Sequence, residues 1–107
     1  MILPSNIEGL IKAQNESDSI AFTEYFTEKA TVSDEGSSYS GRTEIKLWTQ
    51  QVTEKYHMQL KPMDFNQTGT SAKLTVEVTG TFDGSPAVMQ YHLELEGNSI
   101  CSLRITG

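Results

Sequence analysis

The feature that most constrains the fold of this 107-residue chain is a change in the spacing of its apolar residues near His57. Before this point, apolar side chains recur every three or four residues, as on one face of an α-helix. After it, they alternate with polar residues, as in strands that bury one face. Helices followed by an antiparallel meander are typical of the α+β class. The pattern therefore predicts three N-terminal helices packed in a strongly bent antiparallel sheet, a cone with an open mouth.

The three helices are predicted from caps and apolar stripes. The first has the capping-box spacing Ser5-x-x-Glu8. The second follows the cap residue Asp18, and Phe22 and Phe26 lie one turn apart in it. The third comes after a short strand, a polar turn and Gly41-Arg42. Its apolar stripe consists of Ile45, Trp48, Val52 and Tyr56.

Four strands are predicted after His57, separated by turns at Thr68-Gly69, Asp83-Gly84 and Gly97-Asn98. Pro62 marks a bulge or an edge, because it cannot donate to a strand ladder. Gly80 falls in the middle of the longest strand, where a glycine permits a strong bend. Alternation assigns one set of side chains to the inside of the sheet. These are Leu74, Val76, Val78, Phe82, Met89, Tyr91, Leu93, Leu95, Cys101, Leu103 and Ile105.

The composition of the chain argues against nucleic-acid binding, a membrane span and a metal site. The net charge is −6, and the few basic residues are scattered, so we expect no binding to nucleic acid. We expect no membrane span, because no apolar run reaches the ~20 residues that a spanning helix needs. Cys101 is the only cysteine, and neither His57 nor His92 has metal-ligand spacing, so no metal or other cofactor is predicted. The opening residues lack the pattern of a signal peptide, and we expect one cytoplasmic domain over residues 1–107.

The inward side chains also predict a pocket for a hydrophobic small molecule. Its wall is expected to be apolar, with a few polar atoms from Asp34, Tyr91 and Tyr56, a composition typical of ligand pockets. The apolar wall is predicted to consist of Phe26, Trp48, Val76, Phe82, Met89 and Leu93. Trp48 and Tyr91 are also consistent with a purely structural role in the core.

The stretch Ala30–Trp48, ATVSDEGSSYSGRTEIKLW, follows two short helices and precedes the four strands. This order of parts resembles the nuclear-transport-factor-2-like superfamily, which includes the ketosteroid isomerases and the SnoaL-like polyketide cyclases. The resemblance extends over nearly the whole chain. It implies a cone-shaped, cystatin-like α+β barrel and a homodimer, which we expect to form through the outer face of the sheet.

The resemblance also implies site residues. The general base of the ketosteroid isomerases is an Asp at the end of the strand after helix two, and Asp34 matches it, with Gly41 beyond. Two positions depart from that family. Leu10 stands where those enzymes have a helix-one tyrosine, and Tyr91 stands where they have a second, protonated Asp. Steroid isomerisation is therefore not expected.

Asp34 as base and Tyr91 as hydrogen-bond donor to an oxyanion still form a workable pair for a cofactor-free isomerase or cyclase acting next to a carbonyl. Alternatively, Asp34-Glu35-Gly36 is only a turn. The same fold would then be a non-catalytic ligand-binding domain or a dimerising interaction module.

Overall fold

A computed structural model describes residues 2–107, which form three helices and six strands. The helices are α1 (Ser5–Asn15), α2 (Ser19–Glu24) and α3 (Gly41–Tyr56). The strands are β1 (Phe26–Asp34), β2 (Ser37–Ser40), β3 (Gln59–Thr68), β4 (Ser71–Thr79), β5 (Ala87–Glu96) and β6 (Ser99–Thr106). The strands form one strongly curved sheet in the order β2-β1-β6-β5-β4-β3, so the predicted α+β cone is confirmed.

The sheet is mixed, whereas a purely antiparallel one was expected. Strands β3 to β6 form the predicted antiparallel meander, but β1 lies parallel to β6, with Val32 opposite Leu103. Parallel neighbours need a long crossover, and here all elements from β2 to β5 lie between them in the chain. The four-residue strand β2, SSYS, was not predicted, because it has no apolar alternation.

Two predictions about the helix ends are wrong. Ser5 and Glu8 form no capping box, because α1 already begins at Ser5 and Pro4 is the N-cap, with no side-chain hydrogen bond. Helix α2 ends at Glu24, so Phe26 starts β1 instead of continuing the helix. The predicted cap of α2 is confirmed, since the Asp18 carboxylate accepts the Ala21 amide at 3.0 Å.

Gly80 also differs from its prediction. Strand β4 ends at Thr79, so Gly80 and Phe82 lie in the connection 80–86. A Cβ on Gly80 would lie 2.5 Å from the carbonyl oxygen of Tyr56 at the end of α3. The glycine is therefore required by close approach to the backbone of α3, and it does not bend the middle of a strand.

The register shifts in three of the strand pairings, and one of these shifts lies between Phe26 and Thr31 in the pairing of β1 with β6. The register of β3 against β4 shifts between Pro62 and Asp64, as the proline predicted. The register of β5 against β6 shifts after Glu94, which leaves Cys101 out of the pairing. Ile100 is therefore fully buried, while Cys101 is only half-buried, so the predicted inward position of Cys101 is wrong.

Candidate functional site

A cavity of about 620 Å³ opens between α3, the connection 80–86 and the inner face of the sheet. Six of the nine predicted site residues line it: Asp34, Trp48, Tyr56, Phe82, Met89 and Tyr91. Further lining residues are Glu35, Val52, Met58, Thr81, Asp83, Gly84, Ala87 and Ile105.

The other three predicted wall residues, Phe26, Val76 and Leu93, are not among the lining residues and are buried in the core. The Phe26 ring lies 5.2 Å from that of Phe22 in α2, so a helix covers it. Strand alternation identifies the inward face but does not indicate which part of that face a helix covers.

Asp34 reaches the cavity because it is the last residue of β1 and shares the inward face with the fully buried Val32. The chain then reverses in a two-residue hairpin turn at Glu35 and Gly36, which have φ values of 52° and 79°. Asp34 pairs with Ser37 across this turn. Asp34 therefore borders the turn and lines the cavity at the same time, so the two interpretations of this residue do not exclude each other.

The environment of Asp34 favours its protonated form. Partial burial raises the pKa of its carboxyl, the indole of Trp48 lowers it, and the nearby Glu35 carboxylate raises it; the net pKa lies above the ordinary value. Among residues 2–107, no cationic side chain contributes to this shift. Asp34 is therefore a carboxylate with increased affinity for a proton.

Trp48 has a role that its apolar stripe did not predict. Its Nε1 donates a hydrogen bond to Oδ2 of Asp34 at 3.2 Å. The side chain is only 2% exposed, and its ring centroid lies 6.1 Å from those of Phe22 and Tyr39. A signal was present in the sequence, because a buried indole needs an acceptor for its N–H group.

Tyr91 is buried and hydrogen-bonded to a residue that sequence reasoning missed. Its hydroxyl donates to Oε1 of Gln14 at 3.2 Å, and Gln14 is itself buried, on α1. Burial raises the pKa of Tyr91, the Gln14 bond lowers it, and the charge of Asp34 raises it; the net shift is upward. Tyr91 is therefore a neutral phenol near Asp34, and its single proton is engaged by Gln14.

Two of the aromatic rings that line the cavity contact each other. The Tyr56 and Phe82 rings meet edge to face, with centroids 5.9 Å apart. Lys55 lies with its Nζ 5.0 Å from the Tyr56 ring centroid. Lys55 does not line the cavity itself; it lines an adjacent groove of about 130 Å³ that shares Asp34 and Trp48 with the cavity.

Two properties of residues 2–107 concern membranes and metal ions. No helix in this part of the chain is both long and apolar enough to cross a membrane. The same residues contain no group of three or more His, Cys, Asp or Glu side chains placed to hold a metal ion.

Solved structures with this arrangement of elements indicate the superfamily. A provisionally assigned polyketide cyclase from Sinorhizobium meliloti matches with a TM-score of 0.93 and 27% identity, over 97% of this chain and 95% of that one. The fold is that of the nuclear-transport-factor-2-like superfamily. The predicted resemblance to this superfamily, with its SnoaL-like members, is thereby confirmed.

Two more distant structures share the nuclear-transport-factor-2-like fold. A Catenulispora acidiphila protein with a ketosteroid isomerase-like fold, in complex with trimethylamine, has a TM-score of 0.89 at 18% identity and covers 99% of this chain and 87% of its own. A nuclear-transport-factor-2-like protein of unknown function from Cytophaga hutchinsonii has a TM-score of 0.79 at 16% identity, with coverages of 94% and 85%. Comparison of the sequence with protein-family models and with curated proteins gives no match.

Proposed function

We propose that this chain binds a small, largely apolar carbonyl compound in the cavity and that Asp34 moves a proton at the carbon next to the carbonyl. The observation that carries the proposal is a half-buried carboxylate with a raised pKa on the wall of a cavity that is lined mainly by apolar and aromatic side chains. The provisional assignment of the Sinorhizobium meliloti neighbour as a polyketide cyclase supports the same class of chemistry.

In the proposed mechanism, the indole of Trp48 holds Oδ2 of Asp34 and so orients the carboxylate. Apolar walls exclude water and make the carboxylate a stronger base toward a carbon acid. As negative charge develops on the substrate oxygen, the Tyr91 hydroxyl turns to it from Gln14. This exchange is favourable because a hydrogen bond to an oxyanion is stronger than one to a neutral amide.

The proposal can be tested without the natural substrate by following the base-catalysed ring opening of 5-nitrobenzisoxazole. A carboxylate in an apolar cavity removes the proton from the ring carbon, the N–O bond breaks, and a coloured cyanophenolate forms. We expect Asp34→Asn to lower the rate at least ~10-fold, since general-base catalysis contributes about 100-fold or more.

Asp64→Asn is the matched control, because it removes the same charge at an exposed position on β3. Glu35→Gln removes a neighbouring carboxylate that raises the pKa of Asp34, so it should lower the rate, but by less than Asp34→Asn does. Equal rates for wild type and Asp34→Asn, with both proteins folded, would contradict the role of Asp34.

A non-catalytic ligand-binding domain is the second candidate, and one observation favours it. The only proton of the Tyr91 hydroxyl is donated to Gln14, so the oxyanion donor is occupied in the unliganded protein. If this candidate is correct, apolar compounds bind in the cavity, and none is converted by the wild type, by Asp34→Asn or by Tyr91→Phe. Saturable binding without catalysis would decide for it.

A further inference from the structure

We infer that the carbonyl compound proposed to bind in this cavity also carries an alkylammonium group, seated between the aromatic rings and the carboxylates of Glu35 and Asp83, so that Asp34 stays available as the base. This inference rests on the proposal that the cavity binds a small molecule, and it specifies the chemical class of that molecule.

The first observation is the one-sided charge of the lining. Asp34, Glu35 and Asp83 contribute carboxyl groups, whereas no Lys, Arg or His is among the lining residues within the part of the chain described, residues 2–107. Glu35 and Asp83 are exposed, so their effect is screened, but Asp34 is half-buried and interacts through a less polar medium. The whole chain carries a net charge of −6, which also attracts cations to the protein.

The second observation is the aromatic wall next to these carboxylates. The cavity is lined by Trp48, Tyr56, Phe82 and Tyr91. The faces of such rings carry partial negative charge and attract ammonium groups, most strongly when the ring is Trp or Tyr. A cavity lined by both carboxylates and aromatic rings is thus complementary to a cation that has an apolar surface.

The third observation is that one of these rings already holds a cation. Tyr56 lines both the cavity and the adjacent groove, and the Lys55 ammonium lies over its ring in that groove.

The cost of desolvating Asp34 also favours a cation. A neutral ligand would remove water from the Asp34 carboxylate without supplying a compensating positive charge, which is costly. A cationic ligand compensates that loss.

The test compares two probes of the same shape, (4-hydroxyphenyl)trimethylammonium and 4-tert-butylphenol, which differ only in a charged nitrogen or a neutral carbon. Binding of each is measured by isothermal titration calorimetry at low salt. We expect the cation to bind at least ~10-fold more tightly, and this preference to shrink as salt is added.

Variants locate the effect in the cavity. The Glu35→Gln/Asp83→Asn double variant should reduce the cation preference at least ~2-fold, because two carboxylates at the mouth are lost. Asp64→Asn should leave it unchanged, while Lys55→Gln should increase the affinity for the cation by removing a competing charge. Equal or tighter binding of the neutral phenol would overturn the inference and leave the cavity as a binding site. If neither probe binds at millimolar concentration, the inference and the proposed binding site are both contradicted.

Discussion

Replacement of Trp48 tests whether one side chain links the core, α3 and the carboxylate. The side chain is 2% exposed, packs against the rings of Phe22 and Tyr39, and donates to Asp34 at 3.2 Å. Trp48→Ala removes both the packing and the hydrogen bond, and truncation of a buried aromatic side chain costs about 3–5 kcal/mol. We expect the free energy of unfolding to fall by this amount.

Trp48→Phe separates the two contributions, because it keeps a buried aromatic ring and loses the N–H donor. A hydrogen bond to a charged group contributes about 1.5–3 kcal/mol, and the lower end applies here because Asp34 is half-exposed. With the smaller ring included, we expect a loss of about 2 kcal/mol. In a domain of this size, each kcal/mol lowers Tm by roughly 4 °C, so Trp48→Phe should lower Tm by about 8 °C and Trp48→Ala by about 12–20 °C.

Thermal unfolding at pH 7 followed by circular dichroism measures both variants. Leu47→Ala is the matched control, because Leu47 lies on the same helix and is 53% exposed. We expect it to change stability by less than about 1 kcal/mol. A Tm for Trp48→Ala within a degree of wild type would refute the buried position of the indole and the assignment of the inner face of α3.

Three further predictions concern Asp34, the Tyr91–Gln14 pair and the sheet. Burial raises the pKa of Asp34 above its unfolded value of 3.8, so its contribution to stability is largest in acid and is lost as pH rises through the folded pKa. Asp34→Asn should therefore be more stable than wild type at pH 7, by less than about 1 kcal/mol, and should lose this advantage below pH ~4. Urea unfolding at both pH values measures the difference in stability. Tyr91→Phe and Gln14→Leu should each cost about 1–3 kcal/mol and the double variant less than their sum, because each single change leaves a buried partner unpaired; an additive result would contradict the hydrogen bond. We expect a homodimer that forms through the outer face of β4 and β5, whether the domain is an enzyme or a dimerising module. Sedimentation at micromolar concentration that shows only an 11.9 kDa species would exclude this dimer.

Much of the fold is encoded locally and could be predicted from the sequence. The run from Gly41 to the last strand follows apolar periodicity and turn residues, which act over a few positions. The parallel pairing of β1 with β6 and the short strand Ser37–Ser40 depend on neighbours distant in the chain. Phe26 illustrates the difference, because its helical spacing to Phe22 is outweighed by pairing with β6.

Six of the nine predicted site residues line the cavity, but the contacts between them were not predicted. Asp34 was identified from the resemblance to the general base of the ketosteroid isomerases and Tyr91 from strand alternation, and both line the cavity. The bonds that define their chemistry join separate elements, Trp48 to Asp34 and Gln14 to Tyr91. Spacing along a chain does not identify the partners in such contacts, so the structure was needed to pair the indole with Asp34 and the buried amide with Tyr91.

The carboxyl resonance of Asp34 tests the central claim most directly. Selective ¹³C labelling of aspartate allows NMR titration of this carboxyl with and without 4-tert-butylphenol, and Asp34→Asn assigns the signal. We predict a pKa above the ordinary aspartate value in the free protein, and a further rise with the neutral phenol, because the ligand removes water that still reaches the carboxylate. An ordinary pKa that saturating phenol leaves unchanged would contradict the account of Asp34 as a base on the wall of a ligand cavity.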